Sequence, residues 1–277
     1  MGVTAGVAAC PPAAVRQRAE LAGYRALWRA APAVLAERHG IAAIEVAGGL
    51  CMAVASQAGS PMLNHAVGVG VTVPASDADL DRIAAFYAGL GTPYSIAVAP
   101  GVSGDLAERL AGRGLRPVRP WMTFHRQAGP IASPDTRLRL VEAGAASARA
   151  FGGIVAAAFE MPPELGAWMA GIVGLPGWTC LLAMDGRVPV GAAAVVVDDD
   201  CAWFTLGATL AEHRGKGAQG ALFAERARRA VTQGARHLVT ETGAPMGDEA
   251  PGPSYRNMLR SGFAEVELRP NYSSSGA

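Results

Sequence analysis

Thr205-Leu206-Gly207-Ala208-Thr209, followed across Leu210 to His213 by Arg214-Gly215-Lys216-Gly217-Ala218-Gln219-Gly220, is the stretch on which the reading of this chain turns. An apolar strand runs into a basic, glycine-rich turn, and the turn opens directly into the helical pattern Gly220 to Gln233. The first backbone N–H groups of a helix have no intrahelical partner and lie at the positive end of its dipole. Glycines let such groups close around a phosphate, and basic side chains add charge. The 24 Lys and Arg residues include a single lysine, Lys216, and it falls in this turn. A nucleoside-triphosphate loop is a poor match. That pattern needs glycine five residues before Gly215, where Leu210 stands, and Ser or Thr after the lysine, where Gly217 stands.

Outward from the turn, alternation and punctuation give an element order. Arg137 to Glu142 reads as a strand, Ala145 to Phe159 as a helix ended by Met161-Pro162-Pro163, and Glu164 to Val173 as a second short helix. Trp178 to Met184 and Val188 to Val197 are apolar runs joined by Asp185-Gly186, a hairpin signal. Asp198-Asp199-Asp200 turns the chain into the strand Cys201 to Thr209. Beyond the helix come a strand at His237 to Glu241, a helix at Ser254 to Ser261 and a strand at Phe263 to Leu268. The order is β-α-α-β-β-β-α-β-α-β. Three consecutive antiparallel strands before the glycine turn separate it from a dinucleotide-binding unit, whose glycines follow the first strand of a βαβ repeat.

The turn resembles the pyrophosphate-binding motif of the GNAT superfamily of acyl-CoA-dependent N-acetyltransferases, [Q/R]-x-x-G-x-[G/A]. Arg214 and Gly217 fit, Gln219 stands where a small residue is usual, and Gly220 follows one place later. The resemblance covers roughly residues 137 to 270. It implies the α/β acyl-CoA N-acyltransferase fold, a mixed sheet flanked by helices, with acetyl-CoA as co-substrate and an amine as acceptor. It implies that Leu206, Gly207, Ala208 and Thr209 pair with the pantetheine arm like an added strand, and that a backbone N–H there stabilises a developing oxyanion. Residues Arg214, Gly215, Lys216, Gly217, Ala218 and Gln219 would take the diphosphate. Asn257 matches a position that often reaches the pantetheine; a solvated helix residue is the other reading.

Family members often carry a tyrosine general acid four residues before the glycine of a Gly-Phe pair. Here that place is Met258, and Tyr255 is the nearest substitute, read either as acid or as packing. The base must take a proton from the acceptor ammonium. The strand before the loop holds Trp203, Phe204 and Thr205 where a glutamate is common, so Glu241 is the candidate base, the alternative being a structural carboxylate. Glu160 and Glu164 could border the acceptor, and Tyr272 could line the same mouth.

The first half echoes the second. Asp77 to Ala88 is helical in pattern, Val67 to Val73 and Tyr94 to Val98 are strand-like, and Asp105 to Ala111 is helical. Glu108-Arg109-Leu110-Ala111-Gly112-Arg113-Gly114-Leu115 resembles Arg256-Asn257-Met258-Leu259-Arg260-Ser261-Gly262-Phe263, and each precedes an Arg-Pro pair, Arg119-Pro120 and Arg269-Pro270. The reading is of tandem halves, a degenerate GNAT-like one at 1–128 and an acetyltransferase one at 129–277, joined through the proline-rich Gln127 to Asp135.

Composition bounds the rest. With 277 residues, 51% hydrophobic and 17% charged, the chain has ample core. A net charge of +1 gives no global field toward nucleic acid or an anionic membrane, so neither is an expected partner. Cys10, Cys51, Cys180 and Cys201 are dispersed and read as buried apolar residues in a reducing cytoplasm, with no metal site. Gly166 to Met184 and Val46 to Ser76 lack charge but carry glycines and prolines, and read as core rather than spans. The N-terminus has no signal-peptide order. The expected activity is direct acetyl transfer to the primary amine of a small molecule or peptide, by a monomer or homodimer. The alternative is a non-catalytic acyl-CoA-binding sensor or scaffold.

Overall fold

The structure is a computed structural model that describes residues 10–274; the signal-peptide reading falls outside that range. Helices α1 (Ala13–Arg29) and α2 (Ala33–His39) lead into the hairpin β1 (Ile41–Val46) and β2 (Gly49–Val54). Then come β3 (His65–Val67), α3 (Asp77–Gly89), β4 (Ser95–Ala97), α4 (Leu106–Gly112) and the long β5 (Arg116–Gln127). The second half begins with β6 (Arg139–Glu142), α5 (Ala148–Ala158) and α6 (Gly166–Ala170). It continues through β7 (Trp178–Asp185), β8 (Val188–Asp198) and β9 (Cys201–Thr209), and closes with α7 (Ala218–Thr232), β10 (His237–Gly243), α8 (Pro253–Arg260) and β11 (Ala264–Ser273).

The eleven strands form one mixed sheet in the order β1-β2-β3-β4-β11-β5-β10-β9-β8-β7-β6. Among the described residues only β3/β4 and β9/β10 pair in parallel. Read inward from either side, the order repeats: a hairpin, a strand parallel to the next, then a long strand that belongs to the other half. The final strand of each half is thus exchanged, β5 lying against β10 and β11 against β4. The two exchanged strands pair antiparallel at the centre, from Ala264 opposite His125 to Ser273 opposite Arg116. Two halves of similar strand order are therefore visible in the topology, and they interlock.

Each helix covers the sheet with one stripe. Ala218, Ala221, Leu222, Phe223, Arg226, Ala227 and Ala230 of α7 are buried at helical spacing. Phe223 meets Phe204 and Phe263 beneath α7 and α8. On the opposite face α1 crosses the sheet beside α5 and α6, and a cluster around Trp28, Phe151, Trp168 and Trp203 fills the space. Gly23 makes that crossing possible: a Cβ there would stand 2.5 Å from the Trp203 ring.

Several expectations need correction. Val67 to Val73 is not a strand; pairing stops at Val67 and the chain turns away toward the proline before α3. The last strand runs on to Ser273 because β4 offers it a partner, so Tyr272 packs on the first half's core and not in a substrate mouth. Cys10 is exposed, whereas Cys51, Cys180 and Cys201 are buried and all four are free. In the turn before β9, Arg18 of α1 pairs with both Asp198 and Asp199. No helix among the described residues is long and apolar enough to cross a membrane.

Candidate active site

The glycine turn delivers α7 with its first N–H groups bare. Gly217 is the N-cap at φ +81°, no side chain caps the helix, and its first turn holds no acid. Among the described residues, no carbonyl accepts from the backbone N–H groups of 215–220. Gly215 shares the left-handed conformation at φ +78°, which an L side chain rarely adopts. Thr136, just past the linker, buttresses the turn, its hydroxyl donating to the Lys216 carbonyl at 2.7 Å. A groove of about 690 Å³ opens here, edged by Arg214, Gly215, Gly217, Ala218 and Gln219, by Gly207 to Thr209, and by Arg256, Asn257 and Arg260 of α8.

The first half offers the opposite chemistry at the equivalent place. There Ser76 caps α3, accepting from the Asp79 N–H at 3.1 Å while the Asp79 carboxylate accepts from the Ser76 N–H at 2.9 Å. Asp77 and Asp79 put negative charge in that first turn. A phosphate would meet two carboxylates, and the Ser76 and Asp79 N–H groups are already taken.

Between the two parallel strands the sheet parts. β9 and β10 pair only from Cys201 to Trp203 against His237 to Val239. Beyond that β9 bulges, with Leu206 at φ +50° and a register shift against β8. Arg226, fully buried, fixes the bulge: it donates to the carbonyls of Ala194 (3.2 Å) and Thr205 (3.3 Å), and stacks on Phe204 and Phe223. Burial pushes its guanidinium down to about 9, leaving it charged at neutral pH.

Through this gap the groove meets a second cavity of about 320 Å³. Phe159, Gly207, Gln219 and Ser254 border both. Its far wall comes from the first half: Tyr24, Leu27 and Trp28 of α1, Pro61 to Leu63, and Trp121 of β5. Glu241 is the one carboxylate lining it. Tyr24 donates to Glu241 Oε1 at 3.3 Å, and Arg269 contacts Glu241 Oε2. The buried Arg269 also holds Glu20 through both guanidinium ends, at 2.9 and 3.3 Å. Burial, then the Glu20 charge, raises the Tyr24 hydroxyl far above its ordinary range, so it remains a donor. Behind it His65 lies edge-on to Tyr24 and Trp121, pushed down to about 3 by burial and so neutral.

The expected residues divide. Gly207, Ala208, Thr209, Arg214, Gly215, Gly217, Ala218, Gln219 and Asn257 share the groove, whereas Leu206 faces the second cavity. The Lys216 side chain is a correction. Its ammonium lies 3.2 Å from Asp185 and from His213 Nδ1, tying the turn to the β7–β8 hairpin and away from the groove. Asn257 is engaged with Gln219 and Arg260, so a bridge spans the groove where a small residue at 219 would leave it open. Tyr255 is the clearest correction. It packs edge-on against Phe124, donates to Glu265 at 2.7 Å, has its hydroxyl pushed up to about 12 and borders neither cavity. Three residues on, Met258 does border the second cavity. Glu160 and Glu164 also stay outside, and Phe159 and Met161 beside them line the wall instead.

Missed by sequence reasoning were Tyr24, Trp28 and Trp121, because nothing local says that α1 and an exchanged strand wall this cavity. Arg256 and Arg260 were missed too, though their i, i+4 spacing places both on one face of α8. Among the described residues no cluster of His, Cys, Asp or Glu could hold a metal ion.

No protein-family model matches the chain, and no curated protein matches it. Solved structures do. A GCN5-related N-acetyltransferase from Kribbella flavida superposes with a TM-score of 0.62 at 18% identity, over 95% of this chain and 96% of the other. One from Sphaerobacter thermophilus gives 0.60 at 16% identity, over 96% and 94%. A tandem GNAT protein from the clavulanic acid biosynthesis pathway gives 0.53 at 13%, over 79% and 77%. The chain has the GNAT fold, and its full-length likeness extends to both halves.

Proposed function

We propose that the protein transfers an acetyl group from acetyl-CoA directly to a primary amine. The observation that carries this reading is the meeting of two unlike cavities at one gap in the sheet, one bordered by bare helix N–H groups and arginines, the other by a shielded carboxylate. The groove fits coenzyme A. Main-chain amides of 215–219 would take the diphosphate, Arg214, Arg256 and Arg260 would neutralise charge around it, and Gly207 to Thr209 would pair with the pantetheine arm. Bound there, the cofactor supplies an activated acyl thioester.

The residues of this chain then do three things. Glu241, reached from the amine side, takes the proton that an acceptor ammonium must lose before it attacks. Tyr24 and Arg269 hold that carboxylate in place. Ser254 is the hydroxyl that borders both cavities, and it replaces Tyr255 as donor toward the leaving sulfur. One N–C bond forms as one C–S bond breaks, and the nitrogen gives up two protons: one passes to Glu241 and on to solvent, and one is balanced by the proton that ends on the thiol. Among the described residues, no nucleophilic Cys or Ser with a partnered base borders the junction, which supports direct transfer. The division at 128/129, with the first half as a wall and not a second acetyltransferase, and a cytoplasmic location belong to the same proposal.

A broad panel of primary amines with acetyl-CoA, followed by thiol release and mass detection of the amide, tests it. Turnover that collapses in Glu241→Gln is the expected result. Coenzyme A binding without acetylation of any amine would move the assignment to a non-catalytic acyl-CoA sensor, the reading favoured by Met258 and by the Gln219–Asn257 bridge.

A further inference from the structure

The geometry of the second cavity points to its occupant: we propose that the acceptor is a monoamine with an aromatic or bulky apolar body, such as an arylalkylamine, and not a polyamine or a lysine-rich peptide. This rests on the acetyl-transfer reading for its chemistry but on the cavity alone for its selectivity. Trp28, Trp121, Trp203, Tyr24 and Phe159 present aromatic surface, and Met62, Met161 and Met169 add adaptable apolar surface. At about 320 Å³ the space lies at the small end for ligand sites, fitting one or two fused rings on a short chain.

Charge sets the number of amines. Glu241 is the single acid on the lining, and the single cation, Arg226, is spent on backbone carbonyls. Beneath the surface, Glu20 and Glu241 share one guanidinium, Arg269, so this group of three carries a formal charge of −1. One ammonium beside Glu241 balances it, with aromatic faces adding cation–π attraction. A second ammonium would be buried among indoles and thioethers with no counter-charge, at a large desolvation cost.

Three of the five tryptophans border the cavity, so intrinsic fluorescence reports occupancy without any turnover. The apoprotein is titrated with phenethylamine, with 2-phenylethanol (same body, no ammonium) and with spermidine, while coenzyme A binding is followed separately by calorimetry. Phenethylamine should saturate. Loss of the ammonium in 2-phenylethanol, or of the charge in Glu241→Gln, should weaken binding at least about tenfold, the scale of one charge-assisted hydrogen bond. Trp121→Leu, which keeps every charge, should weaken phenethylamine and leave coenzyme A affinity unchanged. Spermidine binding as tightly as phenethylamine, or no saturable phenethylamine signal, overturns the proposal. If phenethylamine binds and coenzyme A does not, the acetyl-transfer reading fails and the cavity assignment stands.

Discussion

Arg214 and Lys216 are neighbours in the turn, yet their side chains do different work. Arg214 borders the groove, while Lys216 is held by Asp185, whose carboxyl sits below its ordinary range chiefly through that hydrogen bond. Arg214→Ala should therefore weaken coenzyme A by about 10- to 100-fold, the loss of a charge-assisted contact of about 1.5–3 kcal/mol. Lys216→Ala should weaken it much less, and calorimetry giving the two variants the same large loss would contradict this placement. Glu241→Gln should lower kcat by about 100-fold or more, as removal of a general base does. His65 makes a separate prediction. Its folded-state value of about 3 lies below the ordinary 6.5, so the unfolded chain binds a proton that the folded chain refuses. Its contribution is intact above pH 6.5 and falls as pH drops toward 3, by up to about 1.4 kcal/mol per pH unit. In urea unfolding, His65→Phe should show a shallower loss of stability on acidification. An equal slope in wild type and variant would contradict it.

At the scale of elements, the contrast between α7 and α3 decides how many coenzyme A molecules bind. The Ser76–Asp79 box and the Asp77 carboxylate put capped donors and negative charge where Gly217 leaves bare N–H groups, so calorimetry should return one site per chain, and two sites would refute the contrast. The bulge in β9 depends on a helix rather than on its own strand. Arg226→Met should let it relax and weaken coenzyme A by about tenfold, roughly 1.4 kcal/mol. Stability should change little, because the lost hydrogen bonds are offset by removing a desolvated charge. These elements also mark what sequence could reveal. The glycine turn, the Asp185-Gly186 hairpin and the helix ended by Gly262 carry local signals, and each lies where its residues said. The acceptor wall carries none: Tyr24 and Trp121 are an ordinary helix residue and an ordinary strand residue until β5 crosses to β10. Tyr255 misled because its spacing sets a helical face, while the choice of face was made by Phe124 and Glu265.

At the scale of the whole molecule, exchange of β5 and β11 makes the halves mutually dependent. Each lends the strand that completes the other's sheet, and Arg269 on β11 joins Glu20 of α1 to Glu241 of β10. Residues 129–277 expressed alone should expose the β10 and β11 edges and aggregate or unfold, and co-expression with 1–128 should restore a soluble pair. A stable, monomeric 129–277 with native coenzyme A affinity would contradict this interdependence. The position of the coenzyme A diphosphate decides between these readings, and a crystal structure with coenzyme A measures it directly. It should show the diphosphate within hydrogen-bond distance of the main-chain amides of 215–219, with the pantetheine arm running through the gap between β9 and β10. A ligand bound elsewhere, with that turn bare, would contradict it.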